Sequence, residues 1–342
     1  KYLNRNRKII ISKIFGMVLG NALGGALGAP NEFPIIQDYT GKLEFKIIRK
    51  AIPIYKIPKK HSVLGHDTEM AMVLARQILS GYDEKKTVEA YQKWANSKSP
   101  FLGKNTKNLL KGVQTYKKRV EKYIPDKKKS SQSNGSLMRA YPLVLAPEYV
   151  NTDVNLTNPN EVSREIVRIY ISALRGAING IDKKQILDIA IQKCNIIDNK
   201  NILVNIKNGV KRDISGKTKG WILHGFYCAF YALHNFQSYK DGIDGIMYLD
   251  DFFNPSRGGR GNTDTDTNCA IAGALLGAYY GIFKMCNNKI TKKNLRIMIK
   301  AKPDTEIIDK NNINIPRSNL YHSIHLIKIA SDMSNAYIHR EH

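Results

Sequence analysis

With 342 residues, 42% of them hydrophobic, the chain can bury a sizeable core in one large domain or two ordinary ones. Its four cysteines, Cys194, Cys228, Cys269 and Cys286, show neither CxxC pairing nor zinc-ligand spacing, which excludes a zinc module and leads us to expect a reducing, cytoplasmic setting. The net charge of +25 invites a nucleic-acid reading, but the lysines are dispersed among abundant Asn and Ile, with no basic stripe interleaved with aromatics, so the charge reads as a compositional bias with non-specific affinity for anions.

The N-terminus has the grammar of a signal peptide: basic Lys1 to Lys8, an apolar stretch, then Ala26-Leu27-Gly28-Ala29. Lys13 interrupts the apolar stretch, however, and Gly16, Gly20, Gly24 and Gly28 recur every four residues. A glycine stripe suits tight packing inside a domain, so the pattern predicts a structural helix over residues 5 to 28, stopped by Pro30. Glu32, the first acidic residue, follows. Residues 42 to 58, with Pro53 and Pro58, read as loop containing one short strand.

A helix is predicted over 65 to 79, opened by Asp67, Thr68 and Glu69, and a second, amphipathic one over 84 to 96. After a loop with Pro100 and Gly103, a helix runs from Thr106 to about Tyr123. The Lys-rich stretch 124 to 133 reads as a loop, and Asn134-Gly135 as a turn leading into a helix through 145. Helices are expected at 162–181, 183–196, 200–210, 220–236 and 240–254, the fourth being apolar all round and therefore central.

RGNTDTDTNCAIAGALLGAYYGIF, residues 260 to 283, carries Asp264, Asp266 and Thr267 at the first turn of another helix. Its apolar run from Cys269 to Phe283 is too short to span a bilayer and reads as buried. Gly273 and Gly277 leave one face bare for another helix. Beyond about 290 the chain is polar with two or three helices. No strand-helix alternation, repeat or dividing linker occurs, so the prediction is a single all-α domain over 1–342. Its motif core spans about 14–283, with a helical extension at about 290–342.

Glu32, Asp67, Asp264, Asp266 and Thr267 all offer oxygen, a set that selects Mg, Mn or Ca over zinc. Four carboxylates balance two divalent cations, and a pair of such ions can hold water or substrate oxygens between them. Each acid has an alternative reading as a helix cap.

GNALGGALGAPNEF, GHDTEMAMVLA, SPFLGKNT, SNGSLMRAYPL, GWILHGFYCAFYAL and NTDTDTNCAIAGALLGA, in that order, resemble the ADP-ribosylglycohydrolases of the dinitrogenase-reductase-activating type. The resemblance runs from about Ile14 to about Phe283. It implies a compact all-α fold with two Mg or Mn ions and hydrolysis of the bond joining ADP-ribose to a protein side chain or other acceptor. It assigns metal binding to Glu32, Asp67, Asp264, Asp266 and Thr267, to which His66 is a further candidate ligand by its own chemistry, and catalytic parts to Glu32, Asp67 and Asp266. Gly103 and Thr106 match a loop over the ribose and phosphates, and Asn134, Gly135 and Ser136 a turn holding ADP-ribose.

Three positions depart from the pattern. Gly25 stands where relatives have Asp, Gly65-His66 where they have Thr-Asp, and Asn158 where many have a substrate-side histidine. His66 reads either as a ligand or as a loop histidine facing solvent. The expected partner is therefore an ADP-ribosylated protein or other conjugate, met by a monomer away from membranes. The alternatives are an impaired ADP-ribose-binding pseudoenzyme and a basic nucleic-acid-associated protein.

Overall fold

The computed structural model describes the side chains of residues 5–29, 64–97, 102–249, 263–300 and 318–340, and the backbone also at 2–4, 30–32, 250–253, 307–308, 314–315 and 341. The predicted loop over 42–58 lies outside them. The fold is all-α. Its helices in chain order are α1 (Tyr2–Glu32), α2 (His66–Leu79), α3 (Glu84–Asn96), α4 (Lys104–Leu110), α5 (Tyr116–Tyr123), α6 (Gly135–Met138), α7 (Val150–Asn155) and α8 (Glu161–Ile178). They continue with α9 (Lys183–Lys193), α10 (Ile197–Lys207), α11 (Ile222–Asn235), α12 (Tyr239–Phe253), α13 (Thr265–Asn287), α14 (Lys289–Ile299) and α15 (His325–Glu341). Two-residue strands at Ile307–Ile308 and Asn314–Ile315 form an antiparallel pair.

The centre is the antiparallel pair α1 and α13, whose glycines face each other's backbone. A methyl group at Gly16 would lie 2.2 Å from the Gly277 carbonyl oxygen, one at Gly20 2.4 Å from that of Gly273, and one at Gly24 2.1 Å from that of Cys269. No side chain fits such gaps, so the glycine stripe is a condition of the close approach. Both helices are long and apolar enough to cross a membrane, but 72% and 67% of their most apolar windows are buried inside the fold. The expectation of a run too short for a bilayer counted only Cys269 to Phe283; the helix containing it has 23 residues, and burial accounts for its apolar character.

α11 and α12 pack on α13, α8 on α13 and α9, and α15 lies across α1 and α2, so the C-terminal helix closes over the N-terminal one. Cys228 and Cys269 are buried, which pushes their thiols up.

Three predicted boundaries move. α1 continues through Pro30 to Glu32, because a proline near a helix end forfeits only one ladder bond. The helix expected over 106–123 is two, α4 and α5, separated around Gly112, whose φ of 110° no other residue adopts easily. The helix expected through 145 is only the short α6, followed by a 3-10 stretch Tyr141–Leu145 with Pro142 in its first turn.

Candidate active site

The α1/α13 pairing sets the position of the acidic cluster. A methyl group at Gly28 would lie 2.5 Å from the Thr265 carbonyl oxygen and 2.7 Å from the Asp266 Cα, so the last turns of α1 lie against the first turn of α13. Glu32 ends α1 one turn beyond Gly28; its side chain lies outside the described residues. α2 joins from the side, since the Thr68 hydroxyl donates to Asn21 Oδ1 of α1 at 3.1 Å and Asn21 Nδ2 to the Ala270 carbonyl at 3.1 Å.

Asp67 from α2 thereby meets α13. The Thr267 hydroxyl donates to Asp67 Oδ1 at 3.1 Å, and His66 Nε2 lies 3.2 Å from the same oxygen. His66 is thus turned onto Asp67 and not out to solvent. One ligand atom each from His66, Asp67 and Asp266 lie within 4.8 Å of one another. Asp266 Oδ1 accepts the Thr267 backbone N–H at 2.7 Å, and Asp264 Oδ2 accepts from Asn134 Nδ2 at 2.6 Å.

The electrostatics are those of anions crowded together. Burial raises the Asp67 carboxyl above the usual range, with Asp264 adding to the shift and His66 opposing it. Burial and the neighbouring Asp266 push the half-buried Asp264 up to about 6. Asp67 Oδ2 is buried and meets no donor among the described residues. A donorless carboxylate oxygen beside two further acids is costly for protein alone, and a divalent cation would supply the missing partner. Gly65 leaves room there: a Cβ on it would sit 3.4 Å from that oxygen.

The residues expected on the substrate side form a neighbouring layer. Gly103 starts α4 with open space where a Cβ would project. Thr106 is buried, its hydroxyl oxygen 3.5 Å from where a Cβ on Gly135 would lie. Gly135 and Ser136 open α6, and the buried Ser136 hydroxyl has no hydrogen-bond partner among the described residues. Asn158 is buried and structural in its contacts: Nδ2 donates to the Ser131 carbonyl at 2.7 Å and the Ser133 carbonyl at 3.2 Å, while Oδ1 accepts from the Thr157 hydroxyl at 2.7 Å. Gly25 places a would-be Cβ 3.9 Å from the Thr68 hydroxyl oxygen, at the edge of the cluster.

Beneath this layer is a buried ion pair that the sequence reading did not find. Arg139 Nε donates to Asp153 Oδ2 at 2.9 Å, and its NH1 group donates to the Gly135 carbonyl and the Thr157 hydroxyl, both at 2.9 Å. Tyr91 donates to the other Asp153 oxygen at 2.7 Å, and Arg139 stands over its ring. One guanidinium therefore ties the Asn134–Gly135 turn to the Thr157–Asn158 loop. Arg139 follows Met138 in the quoted SNGSLMRAYPL stretch, and its position there was the available signal. A second unforeseen contact is Trp94 Nε1 donating to Glu69 Oε2 at 2.9 Å, so Glu69 is tied into the core and is more than a helix-opening acid.

Comparisons with known proteins bear on the family and the fold. Residues 6–285 match the family described as ADP-ribosylglycohydrolase. A protein of Acanthamoeba polyphaga mimivirus named "Putative ADP-ribosyl glycohydrolase" is 26% identical over 298 residues, covering 77% of this chain and 85% of its own. A solved structure described as an ADP-ribosylglycohydrolase-related protein complex superposes with a TM-score of 0.58 at 21% identity, covering 85% of this chain and 97% of that one, a likeness of fold. The chain belongs to the ADP-ribosylglycohydrolase family, hydrolases that act on ADP-ribose conjugates.

Proposed function

We propose that the chain is a divalent-cation-dependent hydrolase that frees ADP-ribose from a modified protein side chain or other acceptor. The observation that carries this reading is the convergence of His66, Asp67 and Asp266, with a buried Asp67 oxygen that no described donor meets. Asp67, Asp264, Asp266 and Thr267, with His66 and Glu32, are the residues that would hold Mg or Mn, as one ion or two. When bound, such ions would neutralise the carboxylates, orient ribose hydroxyls and make water more acidic.

The chain's own residues do the rest. Asn134 fixes the Asp264 carboxylate by donating to Oδ2, and Thr267 links Asp67 to α13 through its hydroxyl. Gly135, with no side chain, and Ser136, with an unclaimed buried hydroxyl, present a polar turn to the ADP-ribose. Arg139 holds that turn from behind. Glu32 takes the proton of the attacking water, whose oxygen bonds to the anomeric carbon as the bond to the acceptor breaks, through an oxocarbenium-like state. The acceptor leaves with its bonding pair and takes up the proton that Glu32 removed from the water, which returns Glu32 to its carboxylate.

The test is a panel of ADP-ribosylated acceptors incubated with the purified chain in Mg, in Mn and in EDTA. Release of ADP-ribose in a divalent cation and none in EDTA is expected. Tight ADP-ribose binding with no release from any conjugate would instead make the chain a binder that has lost the chemistry.

A further inference from the structure

Two lysine-rich segments that are far apart in sequence are joined at the rim of the acidic cluster. Ile222 N donates to the Gln132 carbonyl and Asn134 N to the Gly220 carbonyl, both at 2.9 Å, and Trp221 Nε1 donates to Gln132 Oε1 at 2.9 Å. Both segments abut the cluster directly, because Asn134 grips Asp264 and a Cβ on Gly220 would lie 3.4 Å from Asp264 Oδ2. Asn158 and Asn160 fasten the first segment by donating to the Ser131 carbonyl at 2.7 and 3.1 Å.

Residues 124–133 and 211–221 contain Lys127, Lys128, Lys129, Lys211, Arg212, Lys217 and Lys219 against only Asp126 and Asp213. A third of these positions are basic, about twice the density of the whole chain, so composition alone does not explain the cluster.

Arg212 adds a second observation. It is half-buried and lies over the Trp221 ring, 5.4 Å from its centroid, with Nε donating to His224 Nδ1 at 3.3 Å. Its two terminal amino groups donate to no acceptor and form no ion pair among the described residues. The same side chain lines a cavity with Lys211, Asn205 and Tyr227. A half-buried cation with spare donors facing a cavity calls for an anion. An Arg–Trp cation–π pair offers a guanidinium and an aromatic ring to a planar base.

We infer that the acceptor taken by this site is a single strand of nucleic acid, whose phosphates lie along the joined basic segments and whose base or phosphate is gripped at Arg212 and Trp221. This rests on the hydrolase reading above and names its substrate class. An acidic peptide would engage the lysines and leave the Arg212–Trp221 pair and the cavity unused. The same charges spread along the linear sequence gave no such signal.

The test uses the 342-residue chain and a fluorescein-labelled, unmodified single-stranded RNA 12-mer, with binding read by anisotropy across a salt series. Three variants are compared with the parent: Lys127→Glu with Lys128→Glu and Lys129→Glu; Arg212→Gln; and, as an equal change of charge elsewhere, Lys289→Glu with Lys292→Glu and Lys293→Glu on α14, which packs at the other end of the central pair. Each lost phosphate contact lowers the log–log salt slope by about 0.7. The first variant is therefore expected to flatten the slope by about 2 units and weaken binding at least about tenfold, and Arg212→Gln to weaken it several-fold. The α14 variant should change binding by less than about threefold.

Equal losses in the rim and α14 variants would overturn the inference in favour of net charge. Competition by polyglutamate as effective as by unlabelled RNA would overturn it in favour of an acidic peptide. In a parallel assay, kcat/KM for an ADP-ribosylated oligonucleotide should fall relative to that for an ADP-ribosylated peptide in the rim variant; an unchanged ratio counts against the inference. If neither conjugate is hydrolysed, the hydrolase reading fails, and the anisotropy comparison still decides the rim.

Discussion

Adjacent glycines of α1 are predicted to respond to alanine with opposite signs. At Gly24 the added methyl would lie 2.1 Å from the Cys269 carbonyl oxygen and 2.7 Å from its carbon, both backbone atoms that no rotamer change can move. An ordinary carbon–oxygen contact is about 3.3 Å, so α13 must retreat by more than an ångström along a pair that is tight over several turns. Overpacking of this kind costs about 3 kcal/mol, and the better helix propensity of alanine returns about 1, leaving a net loss of about 2 kcal/mol. At Gly25 the nearest atom to the new methyl is the Ala270 Cβ at 3.5 Å, ordinary contact. Gly25→Ala should therefore gain up to about 1 kcal/mol from propensity alone. Urea unfolding of the two variants beside the parent measures the difference. Equal effects of the two substitutions, or a neutral Gly24→Ala, would refute the account of the helix pair and of how it delivers Asp266 to Asp67.

Three further outcomes are expected. Asp266→Ala should abolish the thermal stabilisation that Mn or Mg confers on the parent, since ion binding to the native state raises stability by mass action; an undiminished shift would remove Asp266 from the site. Arg139→Met should cost about 3–5 kcal/mol by stranding the Asp153 carboxylate in the core, while the double change with Asp153→Leu should recover much of it; denaturant titration of both variants checks this, and no recovery would contradict the role given to the pair. The buried His224, beside Arg212, is depressed to about 4. Its folded state stays neutral while the unfolded chain takes up a proton near 6.5, so its contribution is fully present above that pH and is lost as pH falls toward 4. The loss amounts to at most about 3 kcal/mol, and His224→Gln should lessen the acid sensitivity seen by urea unfolding at pH 7 and pH 5. An unchanged pH dependence in that variant would show that another group is responsible.

The parts of the fold that depend on local pattern could be read from the chain. Gly16, Gly20, Gly24 and Gly28 announce a helix face without side chains, and Gly273 and Gly277 announce another; that the two faces meet each other is shown only by the structure. Asp264, Asp266 and Thr267 fall within four residues, a spacing legible as a candidate ligand set. What stayed hidden depends on long-range contacts. Thr267 reaches Asp67 across 200 residues, and Tyr91, Arg139 and Asp153 form one network from three elements. The basic rim joins runs that look like solvated loops when read singly. The break at Gly112 was missed because a positive φ is set by the turn into α5 and not by helical periodicity.

The most direct test is the rate of ADP-ribose release from an ADP-ribosylated acceptor by the parent, by Asp67→Asn and by Asp266→Asn, at saturating Mn and again in EDTA. The account predicts release by the parent in Mn, loss of at least about a hundredfold in each variant, equivalent to about 2.7 kcal/mol of barrier, and no release by any of them in EDTA. Undiminished release in EDTA, or variants as fast as the parent, would contradict it.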